Sequence, residues 1–326
     1  MIHVVRSIDA HVGGTAVRLL VDGIPRPSGK TMAQKSEWMK RHADELRRSV
    51  LFEPRGHADL VGALLTEPVT PGADAGMLFM DGGGFVPLSG AAVIAAATIA
   101  IEKGLIVGAA PRLTVDTPAG TVYAEARLQN AGDRQRVDSV RFTNVPSYVL
   151  MGGHALKIGA RELRVDLAFG GLLYAIADTE AIGIPLDGAT VPALGRLAAQ
   201  IREAAGRAGP EGERLDGVIF TGPPRDPEAH LRNITVSAGG LVDRSASATG
   251  TAAVMAVLDA MGLLQDDSPF VHESLVGTLH RGRVARRTQV GDLPAIVPEV
   301  EGSAWITGEH TFYMDDDDPF KEGVRI

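Results

Sequence analysis

One pattern occurs twice in this chain and constrains its fold more than any other feature. Each copy begins at a serine, Ser89 or Ser247, and closes fifteen residues later at a glycine followed by leucine, Gly104 or Gly262. The residues between these marks are almost all apolar and rich in alanine. Serine is a preferred N-cap and glycine the usual C′ residue of an α-helix, and a helix that is apolar on every side is a buried one. The sequence therefore predicts two buried core helices, each too short to cross a membrane.

A second pair of matching segments indicates that the chain is duplicated. Residues 9–14 and 166–171 both run from an aspartate to a Gly-Gly pair with the same spacing. These two copies are 157 residues apart, against 158 for the two serines. An internal repeat constrains topology, because each copy has to form the same kind of unit. We predict an α/β (α+β) fold with two pseudo-symmetric domains, each of which wraps its strands around one buried central helix.

The length of the chain also favours two domains. For 326 residues, two units of about 150 residues each are a better expectation than one large core. We place the first domain at residues 1–148 together with a C-terminal segment from about 310 to 326, and the second at residues 149–309. Amphipathic helices are predicted at residues 31–50 and 191–205, one in each domain.

Composition and charge exclude several functions. The net charge of −8 argues against nucleic acid or an anionic membrane surface as a partner. The absence of cysteine excludes disulfides, thiolate metal sites and thiol catalysis. The histidines show no metal-ligand spacing, and no phosphate-binding loop or dinucleotide fingerprint is present, so we expect neither a metal nor a cofactor. The first residues lead directly into a strand pattern without a signal peptide, which favours a cytoplasmic protein.

The two serines fit a chemical role as well as a structural one. A helix N-terminus presents unpaired N–H groups and a partial positive charge, so it binds anions. The residues after each serine are small and leave room for a ligand: Gly90 and Ala91 in one copy, Ala248 and Gly250 in the other. If the halves are related by a pseudo-twofold axis, a small carboxylate would lie between the two N-termini, with one hydroxyl on either face. The alternative is that both serines are simply N-caps.

These segments resemble the proline racemase family. The family motif Met-Cys-Gly-His matches residues 88–91, Leu-Ser-Gly-Ala, and the motif Asp-Arg-Ser-Pro-Cys-Gly-Thr-Gly-Thr matches residues 243–251, Asp-Arg-Ser-Ala-Ser-Ala-Thr-Gly-Thr. Other segments typical of the family extend the resemblance over essentially the whole chain; they are residues 29–35, 53–59, 169–171, 232–233, 271–274 and 304–308. The chain is identified as a member of this family.

The resemblance implies a fold like that of diaminopimelate epimerase, with a cofactor-independent active site in the cleft between the two domains. It places Ser89 and Ser247 at the two catalytic positions. It also implies that Asp243 holds the ring nitrogen of a small imino acid, although this residue would equally serve as a helix cap. The other substrate-binding candidates are Gly90, Ala91, Ala248, Thr249 and His57. A structural role in its loop is the alternative for His57.

The catalytic positions depart from the family pattern. Racemases and epimerases of this family generally use two cysteines, and the related dehydratases have cysteine and then threonine. Here both positions are serine, and alanine (Ala91) replaces the histidine of the first motif. A serine hydroxyl is a much weaker acid than a cysteine thiol, whose pKa is near 8.5. This difference argues against ordinary proline racemisation.

Three functions remain open at this point. Several segments, among them residues 217–224, are more similar to the dehydratases than to the epimerases, so dehydration of trans-3-hydroxy-L-proline is the leading hypothesis. The alternatives are a hydroxyproline 2-epimerase or proline racemase, and a relative that binds a carboxylate without turnover. The sequence does not determine the oligomeric state, and a homodimer is one assembly that it allows.

Overall fold

The computed structural model of the protein describes residues 2–105, 111–131, 134–207, 212, 214–265 and 268–325. The chain divides into two units. The first consists of Met1–Phe142 and Ser303–Ile326, and the second of Thr143–Gly302. The domain boundaries that we place by sequence, after residues 148 and 309, lie a few residues further along the chain. Each unit is described separately below.

The elements are numbered in chain order. In the first unit, the helices are α1 (Met32–His42), α2 (Asp44–Leu51) and α3 (Gly90–Glu102). Its strands are β1 (Ile2–Val12), β2 (Thr15–Asp22), β3 (Val61–Thr66), β4 (Ala75–Asp81), β5 (Gly84–Val86), β6 (Arg112–Thr117), β7 (Gly120–Ala131), β8 (Arg134–Thr143) and, from the C-terminal segment, β18 (Ala304–Asp315).

The sheet of the first unit curves around α3. Strand β1 pairs antiparallel with both β18 and β2, β2 runs parallel to β3, and β3 is antiparallel to β4. Strand β4 then runs parallel to β6, which is antiparallel to β7. Helix α3 contacts β1, β2 and β3, and also β7 and β18 from the two ends of this pairing order. Its first eleven residues are all buried, because alanine-rich faces let strands approach from every side.

The region predicted as one helix at residues 31–50 forms two helices. The break is at Ala43, whose φ of −144° and ψ of 23° are not helical. Helix α1 ends with the basic residues Lys40, Arg41 and His42, and α2 starts with the acidic residues Asp44 and Glu45. The basic residues suit the partial negative charge at the C-terminus of α1, and the acidic residues suit the partial positive charge at the N-terminus of α2. Hydrophobic periodicity alone does not detect this boundary.

The second unit contains the remaining elements. Its helices are α4 (Thr179–Ile182), α5 (Val191–Ala205) and α6 (Ala248–Ala260). Its strands are β9 (Ser147–Ile158), β10 (Arg161–Phe169), β11 (Leu173–Asp178), β12 (Gly217–Gly222), β13 (Leu231–Ser237), β14 (Val242–Asp243), β15 (Phe270–Ser274), β16 (Leu279–Val290) and β17 (Leu293–Gly302). Helix α5 has the bounds predicted from its amphipathic pattern, and it buries Leu194, Ala198 and Ile201.

Eight of these strands close into a barrel. The pairing order is β9, β10, β11, β12, β13, β15, β16 and β17, and β17 pairs back with β9. The order of parallel and antiparallel pairs from β10 to β16 is the same as that from β1 to β7 in the first unit. Helix α6 is buried against β9, β10, β11, β16 and β17 of the barrel. The fold is therefore mixed α/β with a closed strand barrel.

Both buried helices begin and end as predicted. Ser89 is the N-cap of α3 and Ser247 the N-cap of α6. The glycines that follow the two helices have left-handed backbones, with φ of 63° at Gly104 and 71° at Gly262. Glycine is favoured there because it has no Cβ to clash in this conformation. Among the helices that the structure describes, none has the length and apolar character needed to cross a membrane.

The Gly-Gly turn between β10 and β11 packs directly against α6. A Cβ added at Gly170 would overlap the carbonyl oxygen of Thr249 and lie 2.6 Å from the amide nitrogen of Ala253. Both of these contacts are with helix backbone, which cannot move aside easily. The carbonyl of Gly170 also accepts a hydrogen bond from Asn144 Nδ2 at 2.7 Å. The repeated Gly-Gly pair is thus explained in this unit by close packing against the buried helix.

Replacing Gly170 should test this packing. We expect Gly170→Ala to lower the free energy of unfolding by about 2–3 kcal/mol, because the added methyl group overpacks a rigid site. In the control Gly195→Ala, the added Cβ lies within α5 and meets no atom within 4 Å. That change should stabilise the protein by about 0.5–1 kcal/mol through helix propensity. Urea unfolding followed by circular dichroism measures both, and equal midpoints for Gly170→Ala and the wild type would contradict the packing argument.

Candidate active site

The N-terminus of α3 presents Ser89 with an ordinary backbone. Ser89 has φ of −137°, and its Oγ accepts a hydrogen bond from Ala92 N at 3.3 Å. The side chain is half-buried, whereas Gly90 and Ala91 are buried. The first amides of a helix have no intrahelical carbonyl partner, so those of Gly90 and Ala91 are available to an anion. Within the described part of the chain, no carboxylate or imidazole is hydrogen-bonded to the Ser89 hydroxyl.

The N-terminus of α6 presents Ser247 within a network of hydroxyl groups. Its Oγ accepts a hydrogen bond from Gly250 N at 3.2 Å, and its own amide donates to Ser245 Oγ at 3.0 Å. The Ser245 hydroxyl in turn donates to Asp243 Oδ1 at 2.8 Å, and Ser245 N donates to the same oxygen at 3.0 Å. Ser245 is fully buried, and it therefore links the carboxylate of Asp243 to the backbone of Ser247.

The backbone of Ser247 is strained. Its φ is 55° and its ψ is 111°, and among the described residues it alone has a positive φ without being glycine. Such a conformation costs on the order of 1–3 kcal/mol and persists where surrounding structure enforces it, often at functional sites. Here the hydrogen bond to Ser245 and the start of α6 hold the residue on both sides.

A buried tyrosine lies against the first turn of α6. Tyr174, at the start of β11, is 3% exposed, and its phenol oxygen is 2.8 Å from Thr249 Oγ1. Burial raises the pKa of the Tyr174 phenol, and the neighbouring side chains of Thr249 and Ser247 partly oppose this effect. The phenol is therefore neutral, and Thr249, Ser247 and Tyr174 form one group of hydroxyls.

Two buried histidines lie behind the same helix end. Thr251 Oγ1 donates to the carbonyl of Ala246 at 3.0 Å and lies 2.9 Å from Nδ1 of His272. Because the single hydroxyl proton of Thr251 is used in the first bond, Nδ1 of His272 is the donor in the second. His280 is paired with His272 across β15 and β16, and neither of its ring nitrogens has a hydrogen-bond partner in the described part of the chain.

The other predicted site residues divide between the two units. In the second unit, Asp243, Ala248 and Thr249 lie together at the start of α6. In the first unit, His57 is exposed on the loop between α2 and β3, and its Nδ1 accepts a hydrogen bond from Asp59 N at 3.3 Å. This bond is local to the loop, as the structural alternative for His57 requires. The functional assignment of His57 stays a prediction.

Residue patterns did not reveal three polar groups of this region. Ser245 and His272 fall within segments typical of the family, but no role is predicted for either residue from the sequence. Tyr174 was missed altogether, although a usable signal exists: it is the one polar-tipped side chain in the apolar run 172–177, and a buried tyrosine hydroxyl usually finds a partner.

Comparison with known proteins identifies the family to which this chain belongs. The family described as Proline racemase matches residues 7–325. A proline racemase from Acetoanaerobium sticklandii is 36% identical over 99% of this chain and 98% of its own length. A 3-hydroxyproline 2-epimerase from Burkholderia multivorans and a trans-3-hydroxy-L-proline dehydratase from Azospirillum brasilense are each 38% identical over 98% of this chain and 97% of their own length.

A solved structure has the same fold. The hydroxyproline epimerase from Agrobacterium vitis, determined with bound trans-4-hydroxy-L-proline, has a TM-score of 0.90 and 26% identity, covering 99% of this chain and 95% of its own. Together with the relatives, this places the chain among enzymes that are named as isomerases and lyases. The protein belongs to the proline racemase family.

The strain at Ser247 predicts opposite effects for two small substitutions. Ser247→Gly should stabilise the protein by about 1 kcal/mol, because glycine relieves the strain and replaces an N-cap serine at a loss of only a few tenths of a kcal/mol. Ser247→Ala should destabilise it by about 1 kcal/mol, because it loses the cap and keeps the strain. Urea denaturation measures both differences.

Ser89→Gly is the matched control, since Ser89 caps the equivalent helix with an ordinary φ. This variant should be no more stable than the wild type. If both glycine variants shift the midpoint alike, the strain assigned to Ser247 is wrong.

The buried histidines predict a loss of stability in mild acid. Burial lowers the pKa of His280 to about 4, and burial together with the nearby His280 lowers that of His272 to about 3. The folded pKa values lie below the unfolded value of about 6.5, so the unfolded state binds more protons between these limits. Stability should therefore be complete above about pH 6.5 and fall by on the order of 2–3 kcal/mol per histidine as the pH approaches 4.

A variant isolates this effect. We expect His280→Phe to reduce the slope of unfolding free energy against pH between 6.5 and 4 by about half, because one of two titrating groups is removed. His42→Asn, which changes an exposed histidine, is the control and should keep the wild-type slope. An unchanged slope in His280→Phe would show that this histidine is not held neutral by the fold.

Proposed function

We propose that the protein is a cofactor-independent enzyme that removes the Cα proton of a proline- or hydroxyproline-type imino acid, and that its reaction is the dehydration of trans-3-hydroxy-L-proline. The observation that carries the proposal is the pair of serines, Ser89 and Ser247, each of which caps a buried helix at the position of a family catalytic residue. The repeated topology of the two units supports the proposal that they are pseudo-symmetric domains whose two helix ends act on one substrate.

Each part of such a substrate has a candidate partner. Its carboxylate would accept hydrogen bonds from first-turn amides, those of Gly90, Ala91, Ala248 and Thr249, where the helix dipole favours an anion. Asp243 would hold the ring nitrogen as an ammonium group, since its carboxylate is half-buried and fixed by Ser245. His57 remains a candidate for contact from its exposed loop.

The difference between the two serines favours dehydration over epimerisation. An epimerase needs two groups that both exchange a proton with Cα. Ser89 is half-buried with an ordinary backbone, whereas Ser247 is buried and strained, its amide donates to the Ser245 hydroxyl, and the bonded hydroxyls of Thr249 and Tyr174 lie at the same helix end. This asymmetry suits two different tasks, one at Cα and one at the leaving hydroxyl on C3.

The proposed reaction combines two proton transfers with the loss of one water. Ser89, as an alkoxide favoured by the helix N-terminus, takes the Cα proton, and the electron pair of that bond forms a double bond to C3. The C3–O bond breaks, and the departing hydroxide takes a proton from Ser247 and leaves as water. The enamine product tautomerises to a pyrroline-2-carboxylate. The net reaction is the loss of one water, with solvent returning the two serines to their starting protonation states.

The assay that decides between the functions combines product analysis with isotope exchange. In D₂O, trans-3-hydroxy-L-proline should yield pyrroline-2-carboxylate, whereas an epimerase would return a hydroxyproline isomer deuterated at Cα. A panel of proline and 4-hydroxyproline isomers tests the epimerase and racemase alternatives in the same experiment. Exchange with another amino acid, and with no member of this panel, would contradict the proposal.

Alanine variants of the two serines separate catalysis from binding. We expect Ser89→Ala and Ser247→Ala each to abolish turnover, while the affinity for pyrrole-2-carboxylate, a planar carboxylate, changes by less than about tenfold, or 1.4 kcal/mol. The control is Thr31→Ala, which removes the N-cap hydrogen bond of α1 to Gln34 N and no hydrogen bond of either serine. It should retain full activity. A wild-type protein that binds pyrrole-2-carboxylate and never exchanges a Cα proton or releases water would be a carboxylate-binding relative instead.

A further inference from the structure

The phenol of Tyr174 is a buried polar group that the proposed reaction does not yet use. Its oxygen lies 2.8 Å from Thr249 Oγ1, in the first turn of α6. Its aromatic ring belongs to the apolar cluster formed by β10, β11, β12 and α6, and both side chains are less than 5% exposed. A hydroxyl buried among apolar groups is costly unless it is bonded, so this contact is a fixed feature of the site.

The direction of this hydrogen bond follows from acidity. A phenol, with an ordinary pKa near 10, is a better donor than an aliphatic hydroxyl, and burial raises the pKa of Tyr174 further so that its proton stays in place. Tyr174 therefore donates to Thr249. The phenol oxygen keeps its lone pairs, and the Ser247 side chain lies close enough to lower the pKa of this phenol.

This arrangement leaves one donor unused. With Tyr174 donating to Thr249 Oγ1, the hydroxyl proton of Thr249 points to another acceptor. Thr249 is the second residue of α6, two positions after Ser247, and it therefore lies at the helix end that would receive the substrate. An amide at this end serves the carboxylate, whereas a hydroxyl proton suits a neutral or departing oxygen.

We propose that Tyr174 is a positioning residue for elimination: it holds the hydroxyl of Thr249, two residues after Ser247, so that this hydroxyl serves the leaving oxygen on C3 of the substrate. This inference rests on the proposed function and deepens it, because it selects imino acids that carry a leaving group on the carbon next to Cα. Tyr174 itself touches no reacting atom. It acts through Thr249.

The test compares elimination with proton exchange in the same protein. Tyr174→Phe removes one oxygen and keeps the ring. With trans-3-hydroxy-L-proline in D₂O, we expect its kcat for water loss to fall about 10- to 100-fold, while deuterium exchange at Cα changes less than about threefold. The ratio of exchange to elimination should therefore rise at least about threefold. A residue with only a packing role would lower both rates together.

Thr249→Val removes the hydroxyl that is hydrogen-bonded to Tyr174 and so tests the same contact. This variant and the double variant complete a double-mutant cycle, in which contacting residues that act as a unit are not additive. We expect the double variant to eliminate no more slowly than the slower single variant. Tyr123→Phe removes an exposed phenol in the first unit and should leave both rates unchanged. Urea unfolding of each variant confirms that the fold is retained.

The outcomes separate this inference from the proposed function. If the wild type eliminates water and Tyr174→Phe keeps the wild-type ratio of exchange to elimination, the role of Tyr174 is wrong and the proposed function stands. Additive effects of Tyr174→Phe and Thr249→Val would also overturn the role. If the wild type exchanges the Cα proton and never eliminates water, the proposed dehydration is wrong and the inference fails with it.

Discussion

The unpaired amides in the first turn of each buried helix are the constraint on which the rest of this structure depends. Helices α3 and α6 are covered on nearly all sides by strands, which their alanine-rich surfaces permit. Burial removes water from the first-turn amides, and each of these needs a partner. Ser89 and Ser247 cap one amide each, and the others face whatever binds at the helix end. The way the core is built thus leaves first-turn amides at each helix end, and the proposed function uses them to hold a carboxylate.

The two helix ends differ although their positions in the repeat match. The start of α3 follows short strand β5 with an ordinary backbone, and the hydroxyl of its serine accepts a hydrogen bond from Ala92 N within the same helix turn. The start of α6 follows a turn in which Ser245 ties Asp243 to the amide of Ser247, and that serine adopts a positive φ. The two serine-capped helices therefore have one plain end and one constrained end. Constraint of this kind is expected where a side chain has to point in one direction.

The parts of the structure that the sequence could predict are those governed by local chemistry. The two N-caps, the C′ glycines and the bounds of α5 follow from propensity and periodicity, which act within a few residues. The break at Ala43 was missed because the apolar pattern continues across it, and only the order of basic and acidic residues marks it. Tyr174 and Thr249 are 75 residues apart in the chain, and their contact depends on the packing of α6 against β11. No local sequence pattern predicts a contact between residues so far apart in the chain.

The replacement of thiols by hydroxyls has a chemical logic if the substrate carries a leaving oxygen. A thiolate is the better base at Cα, so an exchange reaction with a weakly acidic carbon loses most when both cysteines are lost. Elimination also requires a proton and hydrogen-bond donors for the departing hydroxide. Ser247, Thr249 and Tyr174 supply hydroxyls at one helix end, and burial makes each of them a stronger electrostatic partner than it would be in water. If both serines act on one substrate, as we propose, their unequal surroundings suit two unequal proton transfers.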